Sequence, residues 1–161
     1  MPIAVCPGSF DPVTDGHLDI IQRASGIFDQ VIVAVAVNPS KNSLFSLEER
    51  VEMLREVCSR LHNVTVDSLE GLLIDYVRAR GARCIVKGLR AISDFELEFQ
   101  QALMNSRLAP DVETMFLMTR PDHSFLSSTM IKQVVSFGGD VAGMVPPLVQ
   151  NRLREKFGTQ R

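Results

Sequence analysis

The sequence predicts an α/β fold, a doubly wound five-stranded parallel sheet with helices on both faces. Three observations carry this prediction. Short apolar runs alternate with amphipathic stretches from end to end, the pattern of repeated strand–helix–strand units. The run Val31–Val37 is apolar throughout and rich in valine, which suits a strand buried on both faces, as parallel strands are. The chain has 161 residues, a length that fits one domain over 1–161.

The elements follow in order. Ile3–Cys6 is a short strand that Pro7-Gly8 should stop. Gly16–Phe28 places Leu18, Ile20, Ile21, Ala24 and Ile27 near helical spacing. Val31–Val37 is the second strand. Ser46-Leu-Glu-Glu49 reads as a capping box, with the Ser46 hydroxyl taking an orphan N–H and Glu49 reaching back. The helix it opens carries Leu47, Val51, Leu54, Val57, Cys58 and Leu61 on one stripe. Val64–Val66 is a short third strand. Leu72–Arg80 is a helix closed by Gly81 at the position after its C-cap. Arg83–Lys87 is the fourth strand. Ser93–Leu108 is a long helix expected to turn Phe95, Phe99, Ala102 and Leu103 inward. Thr114–Met118 is the fifth strand. Ser128–Phe137 and Pro147–Phe157 are the last helices, the first ended by Gly138-Gly139.

Composition narrows the function classes. Lys plus Arg number 17 and Asp plus Glu 19, a net charge of −2. A whole-protein basic footprint for nucleic acid is excluded, whereas a local cationic patch is not. The cysteines, Cys6, Cys58 and Cys84, are odd in number and form no C-x-x-C motif, so neither a disulfide framework nor a zinc ribbon is expected. Cys6 and Cys84 lie in apolar runs and read as packing residues. No apolar stretch reaches the ~18 residues of a membrane span, and the N-terminus lacks the pattern of a signal peptide. The expected setting is the cytoplasm, with no membrane partner.

In an open parallel sheet, ligands sit beyond the carboxyl ends of the strands, where strand order reverses. The informative segments are therefore the loops that follow each strand. Pro7–His17 contains neither G-x-G-x-x-G nor a P-loop, so the usual dinucleotide and Walker sites are not supported. It offers Ser9 and, at a helix start, His17. Two readings stand there: an anion site in which His17 adds a donor to the helix N-terminus, or a helix capped by Thr14 or Asp15 with His17 on the surface. Lys41, in Asn38–Asn42, is a lone loop cation that solvent or an anion could satisfy. Lys87-Gly88-Leu89-Arg90 sets two cations about a glycine, and Arg can grip phosphate oxygens with two N–H groups. Ser127-Ser128-Thr129 opens a helix with three hydroxyls where one is enough for a cap, and Lys132 lies a turn further on. Four loops on one sheet edge thus carry groups compatible with phosphate.

Thr14-Asp15-Gly16-His17 resembles the T/H-x-G-H signature of the nucleotidylyltransferase superfamily, and Ser127-Ser128-Thr129 with Lys132 resembles its second signature. Pro7–His17, Asn38-Pro39-Ser40-Lys41, Lys87–Ala91, Asp94-Phe95-Glu96 and Ser124–Ser128, in this order and spacing, resemble the bacterial phosphopantetheine adenylyltransferase family over most of the chain. That resemblance implies a Rossmann-like nucleotidylyltransferase fold. It also implies a Mg²⁺-dependent reaction in which ATP and 4′-phosphopantetheine give 3′-dephospho-CoA and pyrophosphate, a step of coenzyme A biosynthesis. Residue by residue, it implies that His17 and Lys41 are catalytic, with His17 the transition-state stabiliser at the α-phosphate. Ser9, Phe10, His17, Gly88, Leu89, Arg90, Glu98 and His123, Ser124, Phe125, Leu126, Ser127, Ser128 and Thr129 would bind ATP. Ser9, Lys41, Leu73 and Lys87 would bind phosphopantetheine. No residue is implied as a protein ligand to metal, and the family assembles as a homohexamer.

Ser9 stands where many members have Thr, Lys87 where many have Arg, and His123 where some have a larger aromatic. With no Trp and one Tyr, adenine would be read by backbone, Phe or His. The implied chemistry suits the residues. The nucleophile is the substrate's own phosphate, whose second pKa is near ~6, so no protein base is needed. The competing readings are a related nucleotidylyltransferase, such as one acting on nicotinate mononucleotide, and a non-catalytic nucleotide-binding module.

Overall fold

The computed structural model describes residues 2–38, 40, 42–90 and 92–158, with residues 92–94 described by their backbone alone. Lys41, expected in the catalytic set, lies outside the described residues.

Five strands form one sheet in the order β3-β2-β1-β4-β5, all parallel. They are β1 (Ile3–Gly8), β2 (Gln30–Ala36), β3 (Val64–Leu69), β4 (Cys84–Leu89) and β5 (Glu113–Met118). Between them run α1 (Asp15–Ser25), α2 (Leu47–Val57), α3 (Leu73–Ala79) and α4 (Ile92–Leu108), with α5 (Ser128–Ser136) and α6 (Pro147–Phe157) closing the chain. The predicted class, element order and doubly wound topology are those observed.

Alternate residues of β2 explain why that strand is apolar throughout. Val33 and Val35 pack with Ile21, Leu54, Ile131 and Leu153 on one face, and Ile32 and Ala34 pack with Ile74, Val77 and Ile85 on the other. The Ser46 capping box forms as expected: Glu49 N–H donates to Ser46 Oγ at 3.1 Å, and Ser46 N–H donates to Glu49 Oε2 at 2.8 Å. Gly81 ends α3 at φ +68°, a conformation a side chain would disfavour. Cys6 and Cys84 are core residues, and burial pushes the Cys6 thiol up to about 12.

Two expectations need correction. Pro7-Gly8 does not stop β1, which runs to Gly8 with both residues in register against β2. The ladder to β4, however, ends at Val5, after only two paired positions. A proline cannot donate to a ladder, and here the ladder to β4 has already ended when the proline arrives. The second correction concerns α4. Phe95, Phe99 and Leu103 are exposed by 47%, 47% and 56%, not inward, and Ala102 is only half-buried. Spacing identifies an apolar stripe on a helix but not what covers it. Here the Phe95 and Phe99 rings stack on each other at 5.6 Å, on the outside of the chain.

Candidate active site

The divergence of β1 from β4 opens a crevice at the point where strand order reverses. It forms a cavity of about 400 Å³ whose walls come from both strand ends, the α1 and α5 starts and Glu98 of α4. Of the residues singled out in the sequence, Ser9, Phe10, His17, Lys87, Gly88, Arg90, Glu98, Leu126, Ser127, Ser128 and Thr129 line it.

His17 is positioned by the helix start itself. Thr14 is the N-cap of α1, and its Oγ accepts from His17 N–H at 3.4 Å. In return the Thr14 N–H donates to His17 Nδ1 at 3.0 Å, the reciprocal bond that a Glu more often makes in a capping box. The two readings of this segment are therefore compatible: Thr14 caps the helix, and His17 lines the cavity. The bond has a chemical consequence. Nδ1 is an acceptor of a backbone proton, so the neutral ring carries its proton on Nε2. Burial, aided by the Arg90 guanidinium, pushes His17 down to about 4. At neutral pH the residue is thus an uncharged ring with one N–H to donate.

Phe10 supports that ring. It adopts φ +50°, a left-handed backbone rarely used by a non-glycine residue, and meets the His17 ring edge-on at 5.1 Å. Gly8 makes room for it, since a Cβ there would lie 3.0 Å from the Phe10 ring. Gly88 plays the matching part on β4, where a Cβ would lie 2.9 Å from Ile20 Cγ1, so its absence lets α1 sit close to the sheet.

The cations are held rather than loose. Lys87 pairs with Glu98 at 2.5 Å and donates to Gln101 Oε1 at 3.1 Å. Arg90 donates through Nη1 to the Leu126 carbonyl at 2.5 Å, tying the β4 loop to the segment before α5. The serine-rich helix start is divided in labour. Ser127 caps α5 by accepting from Met130 N–H at 3.1 Å, Ser128 donates to the Pro12 carbonyl at 2.8 Å, and Thr129 lines the cavity.

Other expected site residues lie outside the cavity wall. Leu89 ends β4, where its carbonyl accepts from Thr119 N–H at 2.9 Å. Leu73 begins α3 and packs against the core under that helix. Ser124 donates to the Pro121 carbonyl at 3.0 Å, and Phe125 is 55% exposed at the rim. His123 packs beside Gly16, and its Nδ1 is buried without a hydrogen-bond partner among the described residues. Lys132 does not face the cavity as a phosphate-binding cation. Its ammonium lies 2.9 Å from Asp11 Oδ2. Of the buried polar side chains among the described residues, Thr14 is the helix cap the sequence offered, whereas Asp11 and Arg50 were not singled out by sequence reading. Arg50 donates to the Ser9 carbonyl at 2.9 Å and the Ala36 carbonyl at 3.3 Å, fastening the ends of β1 and β2 together. Its place on the apolar stripe of α2 was the available signal.

This arrangement offers a neutral ring N–H, two cations and a helix N-terminus around one crevice, and among the described residues that line it no activated side-chain nucleophile. It suits reactions on phosphate esters. Residues 5–134 match the cytidylyltransferase-like family model, and the fold and crevice define a nucleotidyltransferase of that class. Among solved structures, a proposed nicotinate-nucleotide adenylyltransferase of Vibrio parahaemolyticus shares the fold, with a TM-score of 0.72 and 21% identity over 99% of this chain and 96% of that one. The phosphopantetheine adenylyltransferase of Heliobacterium modesticaldum is 59% identical over 98% of this chain and 94% of its own. That of Carboxydothermus hydrogenoformans is 56% identical over 98% and 97%. The chain belongs to the phosphopantetheine adenylyltransferase family.

Proposed function

We propose that the crevice transfers AMP from ATP to 4′-phosphopantetheine, giving 3′-dephospho-CoA and pyrophosphate, with His17 as the neutral donor to the α-phosphate. The observation that carries this reading is the bond from Thr14 N–H to His17 Nδ1, which presents Nε2–H at the crevice between β1 and β4. One phosphate oxygen of phosphopantetheine attacks the α-phosphorus. The bond from that phosphorus to the bridging oxygen breaks, and pyrophosphate leaves with the electron pair. The attacking phosphate is largely a dianion at neutral pH, so no protein group needs to accept a proton.

The protein's task is to align two mutually repelling anions and to meet charge that grows on the α-phosphate oxygens. A neutral donor serves this end because the hydrogen bond it donates strengthens as that charge develops. Arg90 and the α5 N-terminus would hold the departing pyrophosphate. Lys41 and Lys87 would hold the acceptor phosphate, Lys87 exchanging part of its pairing with Glu98 for the ligand. Among the crevice residues, Ser9 and Thr129 carry the hard hydroxyl oxygens that would hold Mg²⁺ beside the phosphates. When bound, Mg²⁺ neutralises phosphate charge. A cytoplasmic homohexamer completes the reading. The uncovered apolar face of α4 supports self-association, and no helix is long and apolar enough to cross a membrane among the described residues.

The test is pyrophosphate release from ATP with phosphopantetheine, nicotinate mononucleotide or no acceptor. Release is expected with phosphopantetheine alone. Release with nicotinate mononucleotide in its place, or none with any acceptor, would overturn the reading.

A further inference from the structure

We propose that Asp11 is a positioning residue, which couples the loop that carries Lys41 to the hydroxyl-rich start of α5. This rests on the functional reading above. Asp11 is outside the cavity wall and only 3% exposed. A carboxylate this deeply placed is costly unless its acceptors are filled. Here they are filled from two other parts of the chain. Phe45 N–H donates to Oδ1 at 2.9 Å, and Leu44 N–H donates to Oδ2 at 2.9 Å. Lys132 Nζ donates to the same Oδ2 at 2.9 Å.

Each partner belongs to a segment assigned to a different substrate. Leu44 and Phe45 end the loop between β2 and α2, and this loop's phosphate-binding candidate is Lys41. Lys132 lies on α5, the helix whose first turn carries Ser128 and Thr129. Asp11 itself precedes Thr14 and His17 by a few residues. One carboxylate thus fixes the acceptor-phosphate loop and the triphosphate helix relative to the histidine. Two contacts around it reinforce the same junction: Ser128 Oγ to the Pro12 carbonyl at 2.8 Å, and Arg50 to the Ser9 carbonyl at 2.9 Å. Burial alone would raise the Asp11 pKa, but the N–H of Phe45, the ammonium of Lys132 and the N–H of Leu44 outweigh it and hold the group below the ordinary carboxylate range. Lys132 therefore acts as counter-ion to Asp11, not as a ligand to ATP.

The experiment uses the full chain with Asp11→Asn, Lys132→Gln and the double variant. Folded fraction is read by circular dichroism, and kcat and both KM values are read by pyrophosphate release. Displacing two phosphate sites by about an ångström predicts a fall in kcat on the order of 10–100-fold per folded molecule in each single variant. The double variant is expected to be no worse than the poorer single one, because both changes break the same link. Binding of a non-hydrolysable ATP analogue is measured separately and should weaken less than threefold in Lys132→Gln. Unchanged kcat in the folded single variants would overturn the proposal. So would losses that multiply in the double variant, or a selective tenfold loss of analogue affinity in Lys132→Gln. If Asp11→Asn does not fold, kcat and analogue binding in Lys132→Gln alone decide. A wild-type chain inactive with phosphopantetheine would instead overturn the functional reading, while analogue binding would still report whether Lys132 touches ATP.

Discussion

The state of His17 can be tested by pH alone. An imidazole with the ordinary pKa of ~6.5 is about 90% protonated at pH 5.5, whereas one at about 4 is roughly 3% protonated. The difference should be visible in the side-chain ¹⁵N and ¹H resonances of the ligand-free protein between pH 4 and 8. The chain has three histidines, so spectra of His17→Gln, His62→Gln and His123→Gln assign each signal. His17 is expected to show a proton on Nε2, an unprotonated Nδ1, and no titration above about pH 5. The same displacement has a sign in stability. Between the folded value of about 4 and the unfolded value of ~6.5, the unfolded chain takes up a proton that the folded chain does not, so stability falls as pH falls. From pH 7 to pH 5 this site costs at most about 2 kcal/mol, and His17→Gln should remove that part of the pH dependence in urea unfolding. A His17 midpoint at or above 6.5, or a proton on Nδ1, would refute the reasoning that the helix cap sets the catalytic tautomer.

His17→Ala should lower kcat far more than it weakens ATP binding, by roughly 3–4 kcal/mol in barrier by analogy with the loss of one oxyanion donor; near-normal turnover would remove His17 from the chemistry. Lys87→Ala should raise KM for phosphopantetheine more than for ATP, and an effect confined to ATP would mean that the two subsites are exchanged. Gly88→Ala should lower stability by about 1–3 kcal/mol, since the new methyl meets Ile20 Cγ1 at 2.9 Å. Thermal unfolding of that variant with and without Ile20→Ala checks the cause, because the second change should cost less in Gly88→Ala than in the parent chain.

The architecture was legible because a parallel sheet buries both faces, so Val31–Val37 had to read as an unbroken apolar run. Helix starts were legible where a short polar side chain does one local job, as at Ser46. The α4 face misled because helical spacing records that Phe95, Phe99 and Leu103 share a side and nothing more. At the site, the phosphate-compatible loops were visible singly, since topology predicts which strand ends face one another. The roles of Lys132 and Asp11 were not, because their ion pair joins positions 121 residues apart in sequence. Pro7 was misread for a related reason: its effect depends on whether β4 is still paired beside it, which local sequence does not encode.

The short ladder between β1 and β4 also bears on how the fold opens. On one side of it stand β1, β2 and β3, and on the other β4 and β5, with α1 packed against both through Ile20 and Ala24. Ala4 with Cys84 and Val5 with Ile85 pair across it, and Arg83 N–H donates to the Ile3 carbonyl at 3.4 Å. Such a seam is where sub-global opening is cheapest, so amide exchange there should run ahead of the six-position ladder between β1 and β2. On the proposed reading, a nucleotide lying over the seam would bridge both halves and would bind only when they are together. At 100 times its Kd it would add about 2.7 kcal/mol to the cost of parting them. Substrate would then act as a mechanical clasp for the sheet, and exchange protection at Cys84–Val86 would measure how firmly the active site is assembled.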